Sequence, residues 1–275
     1  MNRPSPLFGI LLILSLWIVT SGTPPPALAQ ESETLTIAAA NSLRDAFREV
    51  LPLFEAQHPD IKVRVIYGPS QTLRKQIEEG APVDVFLPSL IEEIEDLEKK
   101  SLLINGTKYV YGATSLVLVT NAALPAPVGS IRDLETVPIR RLAVGDPKTS
   151  SVGKVASQFL KYSQLDERLR SHYVYGEHSR AVLDLVAQGE AELGVVYRTD
   201  AVSNAKVRIV DTASEGSHTP IHYGVAVVWS HRNLAWAQGF IEFLSKVQVQ
   251  ALLQKHGFDR VSSDTGLAQR QKVKP

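Results

Sequence analysis

The sequence predicts an α/β protein of two lobes, each a mostly parallel sheet flanked by helices, with strands that cross from one lobe to the other. Three observations support this. Strand-like and helix-like apolar spacings alternate through residues 35–247, the pattern of repeated βα units. No low-complexity linker divides the chain, so its two βα halves form lobes that share crossover strands. Five polar segments lie at strand ends: Asn41-Ser42, Ser70-Gln71-Thr72, Ser150-Ser151-Val152-Gly153, His178-Ser179 and Tyr197. Two fall in the first half and three in the second, and open α/β sheets take ligands at such ends.

Leu35–Ala40 reads as a buried strand. Leu43, Ala46, Phe47, Val50, Leu51 and Phe54 then share one helical face. Ile61, Val63, Val65 and Tyr67 alternate with polar residues, as in a strand. Ser70 or Gln71 opens a helix that runs through Ile77 and stops at Gly80, before Pro82. Val83–Leu87 is a strand, and Leu90, Ile91, Ile94 and Leu97 mark a helix. Ser115–Thr120 is an apolar strand, followed by a loop holding Pro125, Pro127 and Gly129. Arg141–Gly145 is a strand that turns at Asp146-Pro147, and Val152, Val155, Ala156, Phe159 and Leu160 form the next helical face. Tyr173–Tyr175, a helix from Ser179 to Gln188, and the strand Leu193–Tyr197 follow. Val207–Val210 and Tyr223–Trp229 are the last strands. Trp236, Phe240, Phe243, Leu244 and Val247 mark a final long helix, and the polar residues after about Ser262 are expected to fray.

The N-terminus differs from the rest. Arg3, the apolar run Leu7–Val19, Pro24-Pro25-Pro26 and Ala27-Leu28-Ala29 have the form of a secretory signal over residues 1–29, cleaved after Ala29. The remainder carries 28 basic residues (29 less Arg3) and 29 acidic ones, a formal −1. This balance lacks the basic bias of a nucleic-acid binder. The chain has no cysteine, which excludes disulfides, thiolate metal sites, a cysteine nucleophile and an N-terminal lipid anchor. The expectation is an exported, periplasmic protein.

Helix N-termini present backbone N–H groups without intrahelical partners, together with a positive dipole end. Several converging on one point bind a small anion without Lys or Arg. Ser42 and Ser70 can each supply O–H and N–H, Val152 and Ser179 an N–H, and Tyr197 a phenol. A shell of donors without acceptors favours a fully deprotonated dianion, because a protonated anion brings a hydrogen that needs an acceptor. Each residue also has a plainer role. Ser42, Ser70 and Ser179 suit helix N-caps, Tyr197 a half-buried strand position, and Gly153 close helix packing.

Catalytic and metal chemistry find little support, which makes a secreted hydrolase the weaker alternative to a binding protein. Asp84 and Asp146 read as turn or cap residues. His218 and His222 are spaced i, i+4, but Pro220 between them argues against one helical metal face. No nucleophile elbow, P-loop or H-E-x-x-H motif occurs.

Five stretches carry a family resemblance: Ile37–Leu43; Thr72–Phe86, ending Gly80-Ala81-Pro82-Val83-Asp84-Val85-Phe86; Leu142–Pro147; Leu193–Ala201; and Ser217–Ile221. In order and spacing they resemble the periplasmic molybdate-binding proteins of ABC importers, from about Leu35 to Phe258. The resemblance implies a type II periplasmic binding fold, with lobe I over residues 30–113 and 225–262, lobe II over 114–224, and a flexible tail over 263–275. It implies that a monomer holds molybdate or tungstate in a cleft and passes it to a membrane permease, without catalysis, cofactor or direct metal-cation ligands. The implied contacts are Ser42, Ser70, the N–H groups of Val152 and Ser179, the Tyr197 hydroxyl, and Asn41 beside Ser42. The chain departs from the family at Gly68-Pro69-Ser70-Gln71, where Ser-rich turns are common. Pro69 removes a backbone donor there and Gln71 adds an acceptor, which also admits sulfate, phosphate or a small organic anion.

Overall fold

The computed structural model describes residues 33–230 and 233–261. The expected signal segment 1–29 and the tail 263–275 lie outside the described residues. The fold begins with β1 (Glu33–Ala40), a 3-10 turn at Asn41–Leu43 and α1 (Arg44–Gln57). There follow β2 (Ile61–Gly68), α2 (Ser70–Glu78), β3 (Val85–Leu87), α3 (Glu92–Lys99) and β4 (Tyr109–Thr114). The chain then crosses to β5 (Leu116–Asn121), β6 (Leu142–Gly145), α4 (Ser151–Tyr162), α5 (Asp166–Leu169) and β7 (Tyr173–Gly176). α6 (Ser179–Ala187), β8 (Leu193–Tyr197), α7 (Arg198–Val202) and β9 (Val207–Thr212) come next. β10 (Ile221–Val227), α8 (Leu234–Leu244) and α9 (Val247–Lys255) complete it.

Two five-stranded sheets result, in the orders β2-β1-β3-β10-β4 and β7-β6-β8-β5-β9. Each has the same plan. Three parallel strands form the βα core: β2, β1 and β3 in one sheet, β7, β6 and β8 in the other. In each sheet one strand, β10 or β5, runs against the other four, so both are mixed. The reason is connectivity: the chain passes between sheets directly from β4 to β5, and again between β9 and β10. A strand that arrives from the other sheet, without its own crossover helix, pairs antiparallel. The boundary expected at 224/225 falls inside β10, whose residues from Ile221 onward pair with β4.

The central strands are buried on both faces, which explains why six consecutive residues of β1, Leu35 to Ala40, are buried and all but Thr36 are apolar. α1 covers one face of the first sheet through Phe47 and Phe54, whose rings meet Phe240 and Phe243 of α8 edge-on. Two expectations need correction. The last long helix is two helices that break at Ser245-Lys246; Val247 opens α9 and is 78% exposed rather than part of an apolar face. Asp84 is not a turn residue but a buried staple, since its carboxylate accepts the Thr36 N–H at 2.8 Å and the Asn233 amide at 3.3 Å. That joins β1 to the start of β3 and to α8, and satisfies a buried backbone donor.

Candidate functional site

The ends of β1, β2, β6, β7 and β8 face one another, and the segments after them enclose one cavity. It is lined by Asn41, Ser42, Ser70, Val152, Ser179 and Tyr197 together with Ser89, Ser150, Ser151, His178 and nearby backbone. The space open to the centre of a water-sized sphere is about 20 Å³, and roughly 10–15 Å³ of such space holds one water. The guest is therefore a single small molecule or ion.

Each segment reaches the cavity for a local reason. After β1 the backbone enters a 3-10 turn that places Asn41 and Ser42 at the head of α1, both buried. Pro69 caps α2 in an extended conformation, as its ring allows, so Ser70 is the first helical residue. Ser150 caps α4: its hydroxyl accepts the Gly153 N–H at 3.1 Å and its carbonyl accepts the Lys154 N–H. This leaves the N–H groups of Ser151 and Val152 without an acceptor among the described residues. His178 caps α6 through Nδ1, which accepts the Ala181 N–H at 3.1 Å. Burial holds its pKa down, so the imidazole stays neutral and can accept. The N–H of Ser179 is then a free first-turn donor. Tyr197 ends β8 as a buried phenol whose pKa burial raises, so it remains an O–H donor.

The serines are therefore not the caps that composition suggested. Ser70 and Ser179 stand one residue inside their helices, and the capping is done by Pro69, Ser150 and His178. Their hydroxyls are engaged from behind. Ser42 Oγ accepts the Tyr223 phenol at 2.8 Å, Ser70 Oγ the Ser89 N–H at 3.1 Å, and Ser179 Oγ the Tyr197 N–H at 3.3 Å. Ser89 Oγ stands between Ser70 Oγ (3.2 Å) and the Tyr197 hydroxyl (3.4 Å), and so links the two sheets across the cavity. Ser151 also lines the cavity and is 3% exposed, and its hydroxyl has no partner among the described residues.

Among the described residues no Lys, Arg, Asp or Glu lines the cavity, and Gln71 is not among the lining residues. Charges meet at its rim, where Arg180 of α6 pairs with Asp45 of α1, and Lys154 of α4 with Glu92 of α3. Both pairs join a helix of one sheet to a helix of the other. Behind α6, Asp200 is 1% exposed; burial pushes its pKa up to about 6, against the opposing effects of the Ser179 hydroxyl and of Arg180. Two glycines let α4 sit on the end of β6. A Cβ on Gly153 would lie 2.5 Å from backbone atoms of Gly145 and Asp146, and one on Gly145 would lie 2.6 Å from the Gly153 nitrogen.

Ser89, Ser150, Ser151, His178 and Tyr223 join the residues expected from sequence. Ser150, Ser151 and His178 stood inside segments already marked. Ser89 was missed because it follows a strand of only three residues, although Pro88-Ser89 is itself a strand-end signal. Tyr223 gave no signal, since its link to Ser42 spans 181 positions.

Among the described residues there is no group of three or more His, Cys, Asp or Glu side chains able to hold a metal ion. Two mirrored mixed sheets, with helix N-termini aimed into a cavity between them, define a two-lobed solute-binding protein of the type II periplasmic binding fold. Residues 35–259 match the model for bacterial extracellular solute-binding proteins, and the chain belongs to that family. It is 32% identical to the molybdate-binding protein ModA of Escherichia coli over 84% of this chain and 91% of that one. It is 31% identical to the molybdate-binding protein ModA of Haemophilus influenzae over 82% of this chain and 90% of that one. The structure of the Azotobacter vinelandii periplasmic molybdate-binding protein superposes with a TM-score of 0.75 at 21% identity, covering 82% of this chain and 99% of that one. Relatives of this kind are the substrate-binding proteins of ABC transporters and work with a membrane permease.

Proposed function

We propose that this protein captures molybdate or tungstate in the cavity between its lobes, outside the cytoplasm, and delivers it as a monomer to the permease of an ABC importer. It catalyses no reaction. In this reading residues 1–29 export the chain to the periplasm and are removed. The observation that carries the proposal is the lining itself: hydroxyls and free helix N–H groups from both sheets, with no charged side chain.

Asn41 stands beside the Ser42 N–H and O–H; with Ser70, the Val152 and Ser179 N–H groups and the Tyr197 phenol, about seven donors are available. At roughly 1.5–3 kcal/mol each toward a charged acceptor, they return on the order of 10–20 kcal/mol. Dehydration and lobe ordering take back part, leaving about 8–12 kcal/mol, a micromolar to nanomolar dissociation constant. The donors come from both lobes, so a bound dianion favours the closed form by contacting both at once. Gln71 lies outside the lining, so the acceptor that the altered turn adds does not reach the guest. The relatives named for molybdate point the same way.

Isothermal titration of the mature protein should show one-to-one binding of molybdate. If molybdate and tungstate both give neither heat nor a thermal shift, the proposal is wrong. Replacing Ser42 and Ser70 together by Ala should weaken binding by several kcal/mol with the fold retained, at about 1.5–3 kcal/mol for each bond to a charged guest.

A further inference from the structure

We infer that Tyr223, which does not touch the cavity, is a positioning residue that sets the selectivity of the site by holding the Ser42 hydrogen on the cavity side. This rests on the oxyanion reading above and extends it to a residue behind the shell. Tyr223 is wholly buried and is not among the lining residues. Its ring is confined by Phe258, Tyr111 and Tyr197, with centroids at 4.8, 6.3 and 6.3 Å. Its phenol donates to Ser42 Oγ at 2.8 Å, and Thr199 Oγ1 lies 3.4 Å from the phenol oxygen. A phenol and a serine hydroxyl each own a single hydrogen. Because Tyr223 spends its hydrogen on Ser42, the Ser42 hydrogen is barred from that direction. It is left for the cavity, where it meets an acceptor-only guest well and a guest's own O–H badly.

Ser70 and Ser179 also accept from behind, but there the rear donors are backbone N–H groups that no substitution removes. At Ser42 the rear donor is a side chain, so the device can be switched off. In Tyr223→Phe the Ser42 hydroxyl is free to turn its hydrogen away and offer lone pairs to the cavity. Tyr111→Phe is the matched control: Tyr111 is also buried and packs on Tyr223, but its hydroxyl has no partner among the described residues.

Two probes isolate the hydrogen. Monofluorophosphate and monohydrogen phosphate are both tetrahedral dianions at mildly alkaline pH, and they differ by fluorine in place of O–H. Their dissociation constants are measured by displacement of molybdate from the mature protein. The wild type should prefer fluorophosphate. Tyr223→Phe should narrow that preference by about tenfold, the worth of roughly one hydrogen bond, and Tyr111→Phe should leave it alone. A Tyr223→Phe ratio equal to the wild type's, or an equal narrowing in Tyr111→Phe, overturns the inference. Should Tyr223→Phe fail to fold, Ser42→Ala removes the same hydrogen and must narrow the ratio too; an unchanged ratio there is equally fatal. Wild-type protein that binds molybdate but does not discriminate between the two phosphates defeats only the role of Tyr223. Wild-type protein that binds none of molybdate, tungstate and fluorophosphate defeats the oxyanion reading itself.

Discussion

Gly153→Ala tests whether the start of α4 is a binding element rather than a mere scaffold. The added Cβ would stand 2.5 Å from the Gly145 carbon and from the Asp146 carbon and oxygen, whereas ordinary contact begins near 3.4 Å. These are backbone atoms of the end of β6 and its turn, and they cannot swing aside as a side chain would. The first turn of α4 must therefore retreat by about 1 Å. A retreat of that size stretches a hydrogen bond of about 2.9 Å beyond the range in which it counts as one. The Val152 N–H then loses the guest. For one bond to a charged acceptor the loss is about 1.5–3 kcal/mol, or between one and two decades in affinity. Stability falls by a similar amount, about 1–3 kcal/mol, the usual cost of overpacking. Molybdate titration gives the first number and chemical denaturation the second. A variant that folds and binds molybdate as tightly as the wild type would refute the reasoning.

Other expectations follow from the same structure. Asp200 has its pKa raised from 3.8 to about 6, so the folded state holds that proton more tightly than the unfolded state. Its contribution to stability is therefore lost as pH rises from about 4 to 6, to a total of about 3 kcal/mol. Denaturation midpoints of Asp200→Asn and wild type should agree near the bottom of this window and separate above it, with the variant more stable; parallel profiles would count against this. Asp84→Ala leaves the buried Thr36 N–H unpaired and should cost about 1–3 kcal/mol in a denaturant titration. Asp45→Asn breaks the pair that ties α1 to α6 across the cavity. It should weaken molybdate binding by roughly threefold to tenfold at low salt, an effect that shrinks as salt rises; a salt-independent change would point to another cause.

The architecture was legible where neighbours in sequence are neighbours in space. The βα units announce themselves through apolar spacing, and the polar strand ends stand out because a strand must stop where its helix starts. That is why Asn41, Ser42, Ser70, Val152, Ser179 and Tyr197 could be named from sequence, and the structure gathers them around one cavity. What escaped notice depends on distant pairings. Asp84 looks like a turn residue until β1 is laid beside β3. Val247 fits the apolar spacing of α8, but the break at Ser245-Lys246 turns it to solvent. Capping could not be assigned from composition because Pro69 and His178 took positions that serine usually fills. Tyr223 reads as an ordinary strand aromatic, and only the meeting of β10 with the turn after β1 gives it Ser42 as a partner.

The central claim is that uncharged donors from both lobes surround one tetrahedral oxyanion. Crystals of the mature protein grown with molybdate test it most directly, through anomalous scattering at the molybdenum edge. One strong peak is expected, within hydrogen-bonding reach of its oxygens from Ser42, Ser70, Tyr197 and the N–H groups of Val152 and Ser179. A peak elsewhere on the molecule, or a cavity without one at saturating molybdate, would contradict it.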